Sequence, residues 1–177
     1  MKNIKNNIIA LVGMTGCGKS SVGKVLAKKL GARLVDLDDV IAERHGSIKE
    51  LFAKQGEGAF RQLEYEALRD VINECSGEMT VLSCGGGVPT YKQSYELLSK
   101  STTVIWLRRS ADSLSADSQV LSRPPLNGSI EVYKRLHAER YPIYKSLAHY
   151  TFYNVFPQRT ATEIIKKLEL VEPENLK

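Results

Sequence analysis

The chain has no long apolar run, no paired cysteines and no block of like charge, and each lack removes a class of protein. No stretch approaches the roughly 20 apolar residues of a membrane-spanning helix, so a membrane partner is not expected. Lys2 and Lys5 ahead of Ile8 to Val12 faintly echo a secretory leader, but the apolar run is too short and leads straight into a glycine-rich segment. Cys17, Cys75 and Cys84 fall in no paired spacing, and an odd count argues against a disulfide framework; a reducing, cytoplasmic setting is expected. The formal net charge is +5, yet Lys and Arg are scattered, with no basic stripe interleaved with aromatics. A nucleic-acid partner is therefore not expected, and the positive surplus suits an enzyme with anionic substrates. There are no internal repeats or low-complexity segments. At 177 residues, with 42% hydrophobic and 25% charged residues, the chain fits a single domain, 1–177. No element has an evident surplus apolar face, so a monomer is expected.

What is present is most specific near the start. Residues Gly13 to Ser20 read GMTGCGKS, a full match to the phosphate-loop pattern GxxxxGK[ST], between an apolar run (Ile8 to Val12) and a helix-like stretch (Lys19 to Leu30). Glycines at 13, 16 and 18 let backbone N–H groups converge on phosphate oxygens, the following helix adds its positive end, and Lys19 supplies a mobile charge. The candidate nucleotide contacts are thus Gly13, Met14, Thr15, Gly16, Cys17, Gly18, Lys19, Ser20 and Ser21, with the Ser20 hydroxyl placed for Mg²⁺. Binding of a nucleoside triphosphate is predicted. Cys17 lies at a helix N-terminus, where thiols can become reactive towards oxidation or alkylation, but reactivity needs exposure too, and a small residue filling the loop is the favoured reading.

Apolar, β-rich runs recur at Ile8 to Val12, Arg33 to Val35, Thr80 to Ser83, Thr103 to Leu107 and Tyr150 to Val155. Helical patterns fall at Lys19 to Leu30, Ser47 to Ala53, Ala59 to Asn73, Tyr91 to Leu98, Ile130 to Leu147 and Thr160 to Leu170. This alternation predicts an α/β fold whose parallel sheet is covered on both faces. Ser115 to Ser129, with Pro124-Pro125 and Asn127-Gly128, cannot be a regular element; it reads as a lid loop or a plain insertion.

Four further clusters carry candidate chemistry. Asp36-Leu37-Asp38-Asp39 stands at the C-terminal end of the second strand, where open α/β sheets bind ligands. If the strand persists through Asp38, Asp36 and Asp38 leave one face, one approaching Mg²⁺ and the other a substrate hydroxyl; alternatively Asp38 or Asp39 caps the next helix. Arg61 and Glu64 share a helical face, where a solvated ion pair is the usual explanation. Gly85-Gly86-Gly87 directly follows a strand and either admits a substrate closely or forms a loose connection. Arg123, before two prolines in the lid, can be aimed at a transferring phosphoryl group, and Arg140 can clamp a carboxylate; either can equally be surface arginine.

Taken in order, GMTGCGKSS, DLDD, GEGAFRQLE, SCGGG, RPP and ERYPIY resemble the shikimate kinase family over nearly the whole chain. The resemblance implies a three-layer P-loop kinase fold: a five-stranded parallel sheet in the order 2-3-1-4-5, helices on both faces, a substrate-binding segment at about 37–64 and a lid at about 115–129. It implies transfer of the γ-phosphate of ATP to the 3-hydroxyl of shikimate, in the route to chorismate and the aromatic amino acids. On the same resemblance, Asp38 orients or deprotonates the attacking hydroxyl and Asp36 holds Mg²⁺ through water beside Ser20. Arg61 and Arg140 clamp the shikimate carboxylate, Gly85, Gly86 and Gly87 line that pocket, and Glu64 positions Arg61. Lys19 and Arg123 neutralise charge on the transferring group. Family members often carry an adenine-stacking arginine seven residues before the lid Arg-Pro; here that position is Ala116, leaving Arg108, Arg109 or the loop Asn154 to Arg159 for the base. The competing readings are a kinase for another small acceptor, such as gluconate or a nucleoside monophosphate, and a regulatory nucleotide-binding protein.

Overall fold

Strand β1 (Ile8–Val12) is apolar at every position because both of its faces are covered. Ile8, Ala10 and Val12 point into one hydrophobic core and Ile9 and Leu11 into another, all at 0% exposure. The computed structural model describes residues 4–75, 77–110, 126 and 128–171. Within them the remaining strands are β2 (Arg33–Asp36), β3 (Thr80–Ser83), β4 (Thr103–Arg108) and β5 (Tyr150–Tyr153), in one parallel sheet of order β2-β3-β1-β4-β5. The order implied by resemblance is the order found.

Helices α1 (Lys19–Leu30) and α6 (Pro157–Leu168) pack on the Ile9/Leu11 face. The opposite face is covered by α2 (Leu37–His45), α3 (Ile48–Glu74), α4 (Lys92–Ser101) and α5 (Ile130–Leu147). Central strands buried on both faces read as continuous apolar runs, whereas β2 and β5, at the sheet edges, are partly exposed and read less clearly. Two expectations shift. The helices expected at Ser47 to Ala53 and Ala59 to Asn73 run together as α3, broken only at Gly56, whose φ of 77° and ψ of 173° are not helical. The second strand does not persist to Asp38: it stops at Asp36 and α2 begins at once.

Parallel strands end together, so the loops after β1, β2, β3 and β5 gather at one edge of the sheet. Asn154, just past β5 and 6% exposed, ties this edge together. Its Nδ2 donates to the Cys17 carbonyl at 2.8 Å, its Oδ1 accepts from Thr160 Oγ1 at 3.1 Å, and its backbone N–H donates to the Arg108 carbonyl at 2.7 Å. Asn154→Ala strips the Cys17 carbonyl and the buried Thr160 hydroxyl of their partners and should lower stability by about 2 kcal/mol in urea unfolding.

Candidate active site

The phosphate loop connects β1 to α1, and Gly13, Gly16 and Gly18 all have positive φ (144°, 82° and 91°). Gly18 is the α1 N-cap, in the left-handed region, and a Cβ there would collide with the Asn154 side chain. No side chain caps α1, so its first amides face the loop as anion donors. Lys19 is 8% exposed, and its Nζ donates to the carbonyls of Gly13 (2.9 Å) and Met14 (3.0 Å). Thr15, Gly16, Gly18, Lys19, Ser20 and Ser21 line a cleft of about 690 Å³. Gly13, Met14 and Cys17 form the buried underside of the loop. Cys17 is 1% exposed, so the exposure that thiol reactivity needs is missing.

The acids after β2 are arranged differently from either expectation. Asp36, rather than Asp38 or Asp39, caps α2: its extended backbone (φ −101°, ψ 119°) lets Oδ1 accept from the Asp38 N–H at 3.1 Å. Its Oδ2 accepts from Ser20 Oγ at 2.7 Å. Asp38 therefore lies in the first turn of α2 instead of on a strand face, and it lines the same cleft with Asp36 and Asp39. Buried Leu37 and Ile41 fix that turn against the core.

The Arg61 and Glu64 pair, expected as a solvated helical pair, is buried: 6% and 2% exposed. Both follow buried Phe60 on the second half of α3, whose inner face packs against the sheet. Arg61 Nη1 donates to Glu64 Oε2 at 2.5 Å and Nη2 to Glu57 Oε1 at 2.7 Å. The triple glycine makes room for these groups. A Cβ on Gly85 would come within 2.7 Å of Asp38 Oδ1 and 2.8 Å of Glu64 Oε1, and one on Gly87 would collide with the Arg61 guanidinium. Gly85 and Gly86 line the cleft, while Gly87 stands behind Arg61, outside its wall. Burial pushes the Glu64 carboxyl up to about 7, with Arg61 pulling the other way and Asp38 adding to the rise.

Arg140 approaches from α5, 4% exposed, and lines the cleft, its Nη1 3.5 Å from where a Cβ on Gly86 would stand. Among the described residues no carboxylate lies within ion-pair distance of it. Tyr144, one turn later, donates its hydroxyl to the Gly86 carbonyl at 2.5 Å. Arg109 lines the cleft and donates to the Gly16 carbonyl at 3.4 Å, beside Asn154, Val155 and Pro157. Arg108 is engaged elsewhere, its guanidinium 4.9 Å from Trp106, 5.3 Å from Tyr141 and 4.6 Å from Tyr153, in a smaller cavity of about 180 Å³ under the loop. Arg123 and Ala116 lie outside the described residues.

Sequence reasoning missed Glu57, Tyr144 and the tie made by Asn154. Glu57 and Tyr144 each stand one helical turn from an arginine already singled out, a readable spacing. Asn154 is harder to read, because two of its three partners, Cys17 and Arg108, are distant in sequence.

A phosphate loop at the end of a central parallel strand, sharing one cleft with acids and buried arginines, defines a P-loop kinase of the small-molecule type. The family model for shikimate kinase matches residues 15–169, and the chain belongs to the shikimate kinase family. It is 39% identical to the shikimate kinase of Sulfurihydrogenibium sp. over 150 residues, covering 82% of this chain and 84% of that one. With the shikimate kinase of Dehalococcoides mccartyi it shares 36% identity over 174 residues, covering 96% and 97%. The solved structure of the Acinetobacter baumannii shikimate kinase in complex with shikimate superposes with a TM-score of 0.82 at 29% identity, covering 96% of this chain and 95% of that one.

The Glu64 carboxyl has a sharp consequence for pH dependence. Its folded pKa, about 7, lies above its ordinary 4.5, so between those values the folded protein holds a proton that the unfolded chain releases. Stability contributed by this group is full below about pH 4.5 and lost as pH rises through 7. Thermal melts of wild type and Glu64→Gln from pH 5 to 8 should show the wild type falling relative to the variant as pH rises.

Proposed function

We propose that this protein phosphorylates the 3-hydroxyl of shikimate at the expense of ATP, giving shikimate 3-phosphate. The observation that carries the reading is the pair of buried arginines, Arg61 and Arg140, in the cleft that also holds the phosphate loop. Arginine forks match a carboxylate, and cations withdrawn from water at 6% and 4% exposure favour a negatively charged acceptor. Family membership supports the same acceptor and leaves the gluconate and nucleotide alternatives without support.

In this reading the amides at the start of α1 bind the triphosphate. Lys19 leaves the Gly13 and Met14 carbonyls to follow the transferring group, whose charge spreads over its equatorial oxygens. Asp38, beside Gly85 and exposed to the cleft, takes the acceptor hydroxyl as hydrogen-bond partner and receives its proton. Arg61 and Arg140 fix the acceptor's carboxylate and so orient that hydroxyl. Mg²⁺ prefers hard oxygen ligands and keeps several waters, and Ser20 Oγ and Asp36 Oδ2, 2.7 Å apart beside the loop, fit that preference. The chemistry supplied by the ion when bound is neutralisation of polyphosphate charge. The adenine base is assigned to the cleft edge at Arg109 and the loop after β5, where Val155 and Phe156 are 72% and 62% exposed. Arg123 keeps the role implied by the family, charge neutralisation from the lid.

The chain is read as one kinase domain, with acceptor contacts drawn from about 37–64, acting as a monomer in the cytoplasm. In support, all five described strands belong to one sheet, and no described helix is long and apolar enough to cross a membrane.

The experiment is ADP release in a coupled assay with ATP and Mg²⁺, comparing shikimate, gluconate, nucleoside monophosphates and no acceptor; turnover confined to shikimate is expected. Arg140→Ala should weaken shikimate binding by roughly 2 to 4 kcal/mol, read in KM, with KM for ATP nearly unchanged. Equal loss for both substrates would contradict the clamp. Lys19→Ala should lower kcat by about a hundredfold or more, the scale seen when one donor to developing charge is removed.

A further inference from the structure

Arg61 is the more constrained of the two arginines, and both of its terminal nitrogens already have a carboxylate partner. Nη1 is bonded to Glu64 and Nη2 to Glu57, while Nε is buried with no partner. The rings of Phe52 and Phe60 lie 5.7 Å and 5.8 Å from the guanidinium carbon, and Gly87 abuts the group directly. A guanidinium offers a carboxylate two forks, the end-on Nη1/Nη2 edge and the side-on Nε/Nη2 edge. Both forks use Nη2, which directs one N–H to each, and Glu57 holds one of these. The unpartnered Nε marks the side-on fork as half used.

The two glutamates differ in freedom. Glu64 is 2% exposed and wedged beside Gly85, so it cannot leave. Glu57 has a side chain 59% exposed and follows Gly56, where α3 is broken. On release it would enter water in the first turn of a helical stretch, where a negative charge is favoured. We infer that Glu57 is an internal stand-in for the acceptor's carboxylate: it holds Arg61 in binding geometry while the cleft is without acceptor, and gives up Nη2 when the acceptor arrives. This rests on the shikimate reading above and adds a positioning residue that competes with the substrate. Glu57 keeps a buried, half-satisfied guanidinium from swinging away or recruiting Asp38, and in exchange it weakens the acceptor's apparent affinity.

The test compares wild type, Glu57→Gln and Glu57→Ala by steady-state kinetics with shikimate and ATP, by calorimetric titration with shikimate, and by thermal melts. Loss of a competing, solvent-facing ion pair should lower KM and Kd for shikimate by about two- to fivefold, leaving KM for ATP and the melting temperature unchanged. A residue that merely braced Arg61 would do the reverse, raising KM for shikimate or lowering the melting temperature. An unchanged or raised KM in both variants, with wild type turning over shikimate, would overturn the role of Glu57 alone. Failure of the wild type to turn over shikimate would instead count against the function it rests on.

Discussion

Burial of positive charge around one cleft is the constraint on which the site depends. Lys19, Arg61 and Arg140 are each less than a tenth exposed, and the protein has met their desolvation in three ways. Lys19 leans on two carbonyls of its own loop. Arg61 is matched by a glutamate that cannot leave and one that can. Arg140 has, among the described residues, no carboxylate within ion-pair distance. A buried cation without its counterion is a strong local demand for an anion, and a withdrawn carboxylate meets that demand far better than a neutral polyol would.

The same crowding explains the glycines after β3. A run of three without side chains costs conformational entropy, and here the space is filled by Asp38, Glu64 and Arg61 from other elements. Gly86 also lies near Thr15 of the phosphate loop, and its carbonyl is held by Tyr144. Nucleotide-side and acceptor-side residues therefore share one short segment of backbone.

What was legible beforehand follows from how local each signal is. The phosphate loop, β1, β3 and β4 declare themselves because residues adjacent in sequence carry both the fold signal and the chemistry. The start of α2 was misjudged because Asp36-Leu37-Asp38 alternates like a strand, while a side-chain bond from Asp36 to the Asp38 amide turns the chain into a helix. The Arg61 and Glu64 spacing was visible but its burial was not, since a charged pair three apart looks the same on either side of a helix. Asn154 was opaque for a different reason: Cys17, in the loop after β1, and Arg108, at the end of β4, are brought to it only by the sheet order.

One further feature concerns how the molecule can be watched. Trp106 is the sole tryptophan, 5% exposed, with Arg108 stacked over it and Tyr141 set edge-on at 5.1 Å. It shares its small cavity with Met14 and Cys17, the underside of the phosphate loop. Tryptophan emission from this protein thus originates in a single indole beneath the phosphate loop, shielded from water and next to a fixed positive charge. The chain carries its own optical reporter beside that loop, one that needs neither an attached dye nor an altered residue.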